Sequence, residues 1–183
     1  LKSHPDVVIL MIGSNDAMAS FNTKSGERYK RNNNLLEIPT FQSYKKLLLE
    51  LLDKLRSVDK VFLCTLPPIG ENKDSQVNHH VNKFNGFITK TAQERDLSIL
   101  PVSESFWSDL ALREFPFINE YNPNSIPLMR RIYGGVIHHY IFKQSWDKIA
   151  RSKGQWLLFD QIHLGERAAS IVFNLVKKEI SKD

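Results

Sequence analysis

Val7-Val8-Ile9-Leu10-Met11-Ile12 is an unbroken apolar run that stops abruptly at Gly13-Ser14-Asn15-Asp16. A strand with one wet face alternates apolar and polar residues. A continuous run is what a strand covered on both faces requires, and such strands belong to parallel sheets flanked by helices. Val61-Phe62-Leu63-Cys64 repeats the signal, Leu97 to Val102 reads as a third strand, and Trp156-Leu157-Leu158-Phe159 as a fourth. The prolines of Leu66-Pro67-Pro68-Ile69-Gly70 end the second, because proline cannot continue a central strand. Helical spacing fills the gaps. Pro39-Thr40 opens a helix through about Ser57 with Leu47, Leu48, Leu51, Leu52 and Leu55 as its stripe. A second spans about Ser75 to Arg95, with Val77, Val81, Phe84, Ile88 and Ala92 on one face. The last runs from Leu164 to about Ile180, with Ala168, Ile171, Val172, Leu175 and Val176 inward. Strands alternating with helices predict the α/β class, right-handed crossovers and a parallel sheet.

Two stretches break the rhythm. Ser14 to Thr40 is polar and reads as a long functional loop. Residues 103–155 carry many aromatics, among them Phe106, Trp107, Phe115, Phe117, Tyr133 and Trp146. They are expected to be helical over about Ile126 to Ala150, although Gly134-Gly135 argues against it. No repeat or linker divides the chain, so residues 1–183 read as a single domain with this insert. Cys64 is the lone cysteine, which excludes an intrachain disulfide. No stretch approaches the ~20 apolar residues of a membrane span, so no transmembrane segment is expected.

The net charge of +5 gathers partly in Lys24–Arg31 and partly in Arg130–Lys153. Without an accompanying motif it reads as a solvated basic face, and no nucleic-acid partner is expected. His79 and His80 are adjacent on a predicted helix and point in different directions, as do His138 and His139. No ligand spacing results, so no metal is expected.

Chemistry is suggested at two strand ends. In an open parallel sheet, ligands bind beyond the carboxyl ends of the strands. Asn15 follows the first run, and Asp160 and His163 follow the last. A carboxylate that accepts a hydrogen bond from one imidazole nitrogen fixes the tautomer and leaves the other nitrogen free as a base. A side-chain amide such as that of Asn15 can donate to a developing oxyanion, worth about 3–4 kcal/mol in a transition state. Each motif has an ordinary alternative. Gly-Ser-Asn-Asp is also turn chemistry, and an Asp three residues before a His also arises by chance.

Together these residues resemble a known family. PDVVILMIGSNDAM (residues 5–18) is similar to the third conserved block of the SGNH, or GDSL-like, hydrolases, Gly-Xaa-Asn-Asp after a buried strand. LFDQIHLGERAASIV (residues 158–172) is similar to the fifth, Asp-Xaa-Xaa-His before the last helix. VFLCTLPPIGE (61–71) and VNKFNGFITKTAQERDLSILPV (81–102) look like the family's fourth strand, the helix after it and its fifth strand. The insert at 103–155 matches loosely. The resemblance implies a three-layer α/β/α sandwich, flavodoxin-like, with strand order 2-1-3-4-5. It implies cofactor-free hydrolysis of a small-molecule ester or other acylated substrate through an acyl-enzyme. Asn15 would be an oxyanion donor, His163 the general base and Asp160 its orienting partner, with Asp16 a structural member of the turn.

The family's nucleophilic serine lies in an earlier Gly-Asp-Ser block, and no Gly-Asp-Ser occurs in this chain. Ser14 stands at the variable position of the third block, and Ser103 and Ser105 follow a different strand, so none is promoted to nucleophile. The expectation is a serine esterase whose first strands and nucleophile lie upstream of Leu1, that N-terminal segment being a partner of the chain. The alternative is a non-catalytic carbohydrate- or lipid-binding member of the same fold.

Overall fold

Val7–Leu10 (β1), Lys60–Cys64 (β2) and Ser98–Leu100 (β3) lie side by side in the computed structural model, which describes residues 5–116, 120–123 and 125–181. The three are parallel in the order β1-β2-β3, with Ile9 opposite Phe62 and Leu63 opposite Ile99. This is the expected α/β arrangement. The described residues group into two compact units. The first comprises residues up to Leu66 with His80–Pro101, and the second comprises Pro67–His79 with residues from Val102 on.

The first unit holds the sheet. β2 is buried from Val61 to Cys64, as a run covered on both faces should be. β1 lies at the end of the strand order and leaves Ile9, Met11 and Ile12 exposed. The polar stretch after β1 is not a loop. It folds into Ser14–Ser20 (α1) and Thr23–Asn32 (α2). Asn22 starts α2 by accepting the Ser25 N–H at 2.9 Å, which satisfies one of the orphan donors of a helix N-terminus. The residues of α2 are so polar that no apolar stripe announces the helix, and only Ser25 and Gly26 are buried in it.

Phe41–Lys54 (α3) begins where expected, at Thr40. Thr40 and Ser43 form a reciprocal capping box, with bonds of 3.0 and 2.8 Å. Gln76–Glu94 (α4) packs on it through Phe84, whose ring lies 4.8 Å from both Phe41 and Tyr44. The Pro67-Pro68 segment leaves the sheet after Leu66, whose N–H and C=O are then taken up by the side-chain amide of Asn85, at 2.6 and 3.2 Å.

In the second unit Val102–Leu110 (α5), Ser125–Tyr140 (α6), Trp146–Ser152 (α7) and Glu166–Ile180 (α8) are helical. The expected helix over 126–150 is thus two helices, parted at a turn where Lys143 has φ +53°. Gly135 does not break α6, because it makes room for a neighbour. A Cβ there would come within 2.9 Å of the Phe159 ring. Phe117 lies outside the described residues.

The starts of α7 and α8 cap each other. Glu166 accepts the N–H groups of Trp146 and Asp147 at 2.7 and 2.6 Å, and Asp147 accepts that of Arg167 at 3.1 Å. Arg167 also makes a two-pronged pair with Asp109 of α5, at 2.6 and 2.8 Å, and lies over the Trp156 ring.

The fourth expected strand does not form. Residues 156–159 make only an isolated antiparallel bridge, Leu158 to Leu164. The N–H groups of Trp156, Leu157 and Leu158 all donate to the carboxylate of Glu71, at 2.6–2.9 Å. A buried side chain has taken the donors that a strand ladder would use. Three parallel strands are therefore present among the described residues, and the run 156–159 is a buried loop.

Candidate active site

The Asp160–His163 pair forms as the spacing predicts. His163 Nδ1 lies 2.6 Å from Asp160 Oδ2. Asp160 Oδ1 accepts the backbone N–H groups of Ile162 and His163 at 3.0 and 2.8 Å. One carboxylate thus holds both the ring and the turn that carries it. Gln161 pays for this turn with φ +81°, a conformation that costs a residue with a Cβ of order 1–3 kcal/mol. Its main-chain oxygen accepts the Gly70 N–H at 2.7 Å, and its side-chain amide donates to the Glu120 carbonyl at 2.8 Å.

Charge follows geometry. Asp160 is fully buried. Burial alone would raise its pKa, but the hydrogen bonds from the His163 ring, the two backbone N–H groups and the positive imidazolium outweigh it and hold the carboxyl below its ordinary value. The bond to Asp160 raises the pKa of His163 against a smaller opposing effect of burial. An ionised carboxylate only accepts, so the proton on Nδ1 faces Asp160, and Nε2 is the nitrogen left for chemistry. The His163 side chain is 55% exposed. Phe159 stacks beside it, with ring centroids 5.7 Å apart, and Trp146 and His139 continue the stack at 4.2 and 4.0 Å. Of the insert's aromatics, Trp146 thus packs beside the histidine's neighbour, while Tyr133, Tyr140 and Phe142 are exposed.

Asn15 belongs to the first unit. Its side chain is exposed, on the first turn of α1. Gly13 makes the sharp exit from β1 possible. It has φ +122°, and a Cβ there would lie 2.7 Å from the Tyr44 ring. The Tyr44 hydroxyl donates to the Ile12 carbonyl at 3.2 Å, fixing the same turn from the other side. Gly13→Ala is expected to cost about 2 kcal/mol or more, from backbone strain and the clash with Tyr44 together. Urea unfolding checks this, and a midpoint equal to that of the wild type would contradict it.

Of the other candidates, Ser105 lines an open cavity of about 400 Å³ with Glu104, Ser108, Asp109, Leu112 and Ile171, with no histidine among them. Ser103 is buried. Ser20 and His80 do meet, at 3.0 Å, but the Ser20 hydroxyl donates to the Asp16 carbonyl at 2.7 Å. The contact therefore does not hand a serine proton to the imidazole. Asp16 lies on the first turn of α1, and burial raises the pKa of its carboxyl. Sequence reasoning missed Glu71, Tyr44 and the Asp109–Arg167 pair. None carries a motif, and each acts through a partner distant in the chain.

A family model for the GDSL-like lipase/acylhydrolases matches residues 1–176. Among solved structures, a catalytic mutant of an acetylxylan esterase from Geobacillus stearothermophilus is similar with a TM-score of 0.63 and 15% identity, over 97% of this chain and 60% of that one. The unmutated esterase gives 0.62 at the same identity and coverage. An α/β hydrolase from the metagenome of Lake Arreo, Spain, gives 0.57 and 17%, over 96% and 59%. The chain thus spans about 60% of the length of these structures, with which it shares a fold. Catalytic mutants of the esterase have been made at a Ser, at an Asp and at a His three positions after that Asp. No curated protein matches by sequence.

Proposed function

Because the chain belongs to the GDSL-like lipase/acylhydrolase family, we propose that the protein is a carboxylic ester hydrolase that works through an acyl-enzyme, with His163 as base, Asp160 as its orienter and Asn15 as an oxyanion donor. The observation that carries this reading is the 2.6 Å bond between a fully buried carboxylate and a half-exposed imidazole whose Nε2 is left free. The mutants of the acetylxylan esterase support it, since the Asp and His they name have the spacing of Asp160 and His163.

In this reading a serine hydroxyl attacks the acyl carbonyl and passes its proton to His163 Nε2 as the new C–O bond forms. The carbonyl oxygen becomes an oxyanion and accepts a hydrogen bond from the Asn15 amide. Collapse breaks the ester C–O bond, and the alcohol leaves with the proton from His163. Water, deprotonated by the same Nε2, then releases the acid and restores the serine. The attacking serine comes from outside residues 1–183, in the Gly-Asp-Ser setting that this stretch does not contain. The exposure of Ile9 in β1, and of Met11 and Ile12 just after it, accords with a further strand beside it. Residues 1–183 then form one hydrolase domain with the rest of the sheet.

The test is hydrolysis of p-nitrophenyl acetate and of acetylated xylooligosaccharides by the full-length protein. Turnover abolished by phenylmethylsulfonyl fluoride supports the reading. Binding of acylated sugar without turnover would point instead to a non-catalytic member of the fold. Asn15→Ala is expected to lower kcat by about 10²- to 10³-fold with KM little changed, the usual loss for one oxyanion donor. An equal rise in KM with kcat unchanged would show that Asn15 binds substrate instead.

A further inference from the structure

Glu71 has no part in the reaction just described, yet its side chain is entirely buried. A buried carboxylate is costly unless hydrogen bonds and charge satisfy it. Here the satisfaction comes from three consecutive backbone N–H groups and one guanidinium. Oε1 accepts from Trp156 at 2.9 Å, Leu157 at 2.6 Å and Leu158 at 2.9 Å. Oε2 accepts from Trp156 at 2.8 Å and from the Arg113 guanidinium at 3.0 Å. Successive N–H groups aimed at one anion form a nest, and in this nest the anion is the chain's own side chain.

The loop that carries Glu71 is itself held. Asn78 of α4 accepts the Ile69 N–H at 2.9 Å and donates to the carbonyls of Gly70 and Asn72, at 3.3 and 2.8 Å. Beside Glu71, the Gly70 N–H donates to the Gln161 carbonyl at 2.7 Å. Consecutive residues of one loop therefore grip the chain on both sides of Asp160. Glu71 holds 156–158, and Gly70 holds 161. Downstream, the Gly165 N–H donates to the Leu157 carbonyl at 2.7 Å and closes the turn bearing His163.

We propose that Glu71 is the positioning residue of the Asp160–His163 pair: its carboxylate fixes the backbone of residues 156–158 and, through it, the turn that aims Asp160 at His163. As a positioning role in catalysis, this rests on the ester-hydrolase reading. Its effect on His163 can be read without any substrate. The charged groups near these residues are Arg113 beside Glu71, and Arg131, Lys153 and His163 around Asp160. Glu71→Gln keeps the shape but turns an NH₂ group toward N–H donors, so the nest loses much of its anchor. With the turn loosened, Asp160 holds the imidazolium less well.

The experiment is an NMR titration of the His163 ring in the full-length protein, in the wild type and in Glu71→Gln and Glu71→Asp. In Glu71→Gln the midpoint should fall toward the free-imidazole value by at least about 0.5 pH unit, where a full unit corresponds to about 1.4 kcal/mol. Glu71→Asp, which keeps the charge on a shorter arm, should lie between. In the esterase assay kcat should fall by about 10- to 100-fold with KM within about twofold, the pattern of a displaced catalytic group. A folded Glu71→Gln whose His163 titrates at the wild-type midpoint overturns the proposal. If that variant does not fold, the same midpoint in Glu71→Asp overturns it. A shifted midpoint in a protein that hydrolyses no ester would sustain the link between Glu71 and His163 and reject the hydrolase reading alone.

Discussion

Replacing His163 by Ala should lower kcat/KM for p-nitrophenyl acetate by about 10⁴-fold, at the upper end of what a positioned general base contributes. The loss should fall on kcat, because a base acts on a proton in flight and adds little to ground-state binding. The wild-type rate carries a second signature. Only neutral His163 can accept a proton, and its bond to Asp160 raises its pKa above the ordinary 6.5. Activity should therefore rise with pH through a midpoint above 6.5, and the variant's residual rate should lack that limb. A stopped assay from pH 5 to 9 measures both. A less than tenfold loss, with the acid limb intact, would remove His163 from the mechanism.

The residues that announced themselves in the sequence are those whose neighbours are close in the chain. Asp160 and His163 are three positions apart, and their contact follows from a single turn. β1 and β2 were legible from their continuous apolar runs, of which β2 alone is buried along its length, and α3 because Thr40 marks its start and Leu48, Leu52 and Leu55 its buried face, with Leu47 of the expected stripe exposed. Trp156–Phe159 carried the same signal as those strands and still forms none. An apolar run records burial, not the identity of the hydrogen-bond partner, and here the partner is the side chain of Glu71, more than eighty residues away. α2 shows the opposite failure. It buries almost nothing, so it has no stripe to read, and its one local signal is the cap at Asn22. Gly135 looked like a breaker, but the Phe159 ring requires the absence of its Cβ. Such requirements are set by contacts between distant parts of the chain, and a local pattern does not record them.

Asp160→Asn should be nearly as damaging to turnover as loss of the base, and it should also leave a mark on stability. An amide can offer an N–H to Nδ1 and so favour the tautomer protonated at Nε2. That nitrogen then has no lone pair for the serine proton, and kcat should fall by about 10⁴-fold, as when a triad carboxylate becomes an amide. The stability effect has a defined pH window. Asp160 titrates below 3.8 in the folded protein, so its contribution is present above the unfolded value and is lost as pH falls through the folded one. His163 titrates above 6.5 when folded, so its contribution is complete below that value and is lost as pH rises through the folded pKa. The two overlap between about pH 4 and 6.5, where both partners are charged in the native state. The wild type should exceed Asp160→Asn there by about 1–2 kcal/mol, a modest figure because solvent reaches the imidazole. In thermal unfolding this is a Tm difference of about 2–8 °C for a chain of this size. The difference should narrow by pH 9, where His163 is neutral and only the hydrogen bonds remain. A difference that stayed constant from pH 4 to 9 would mean that Asp160 supports the turn through its backbone contacts alone and does not hold a charged histidine.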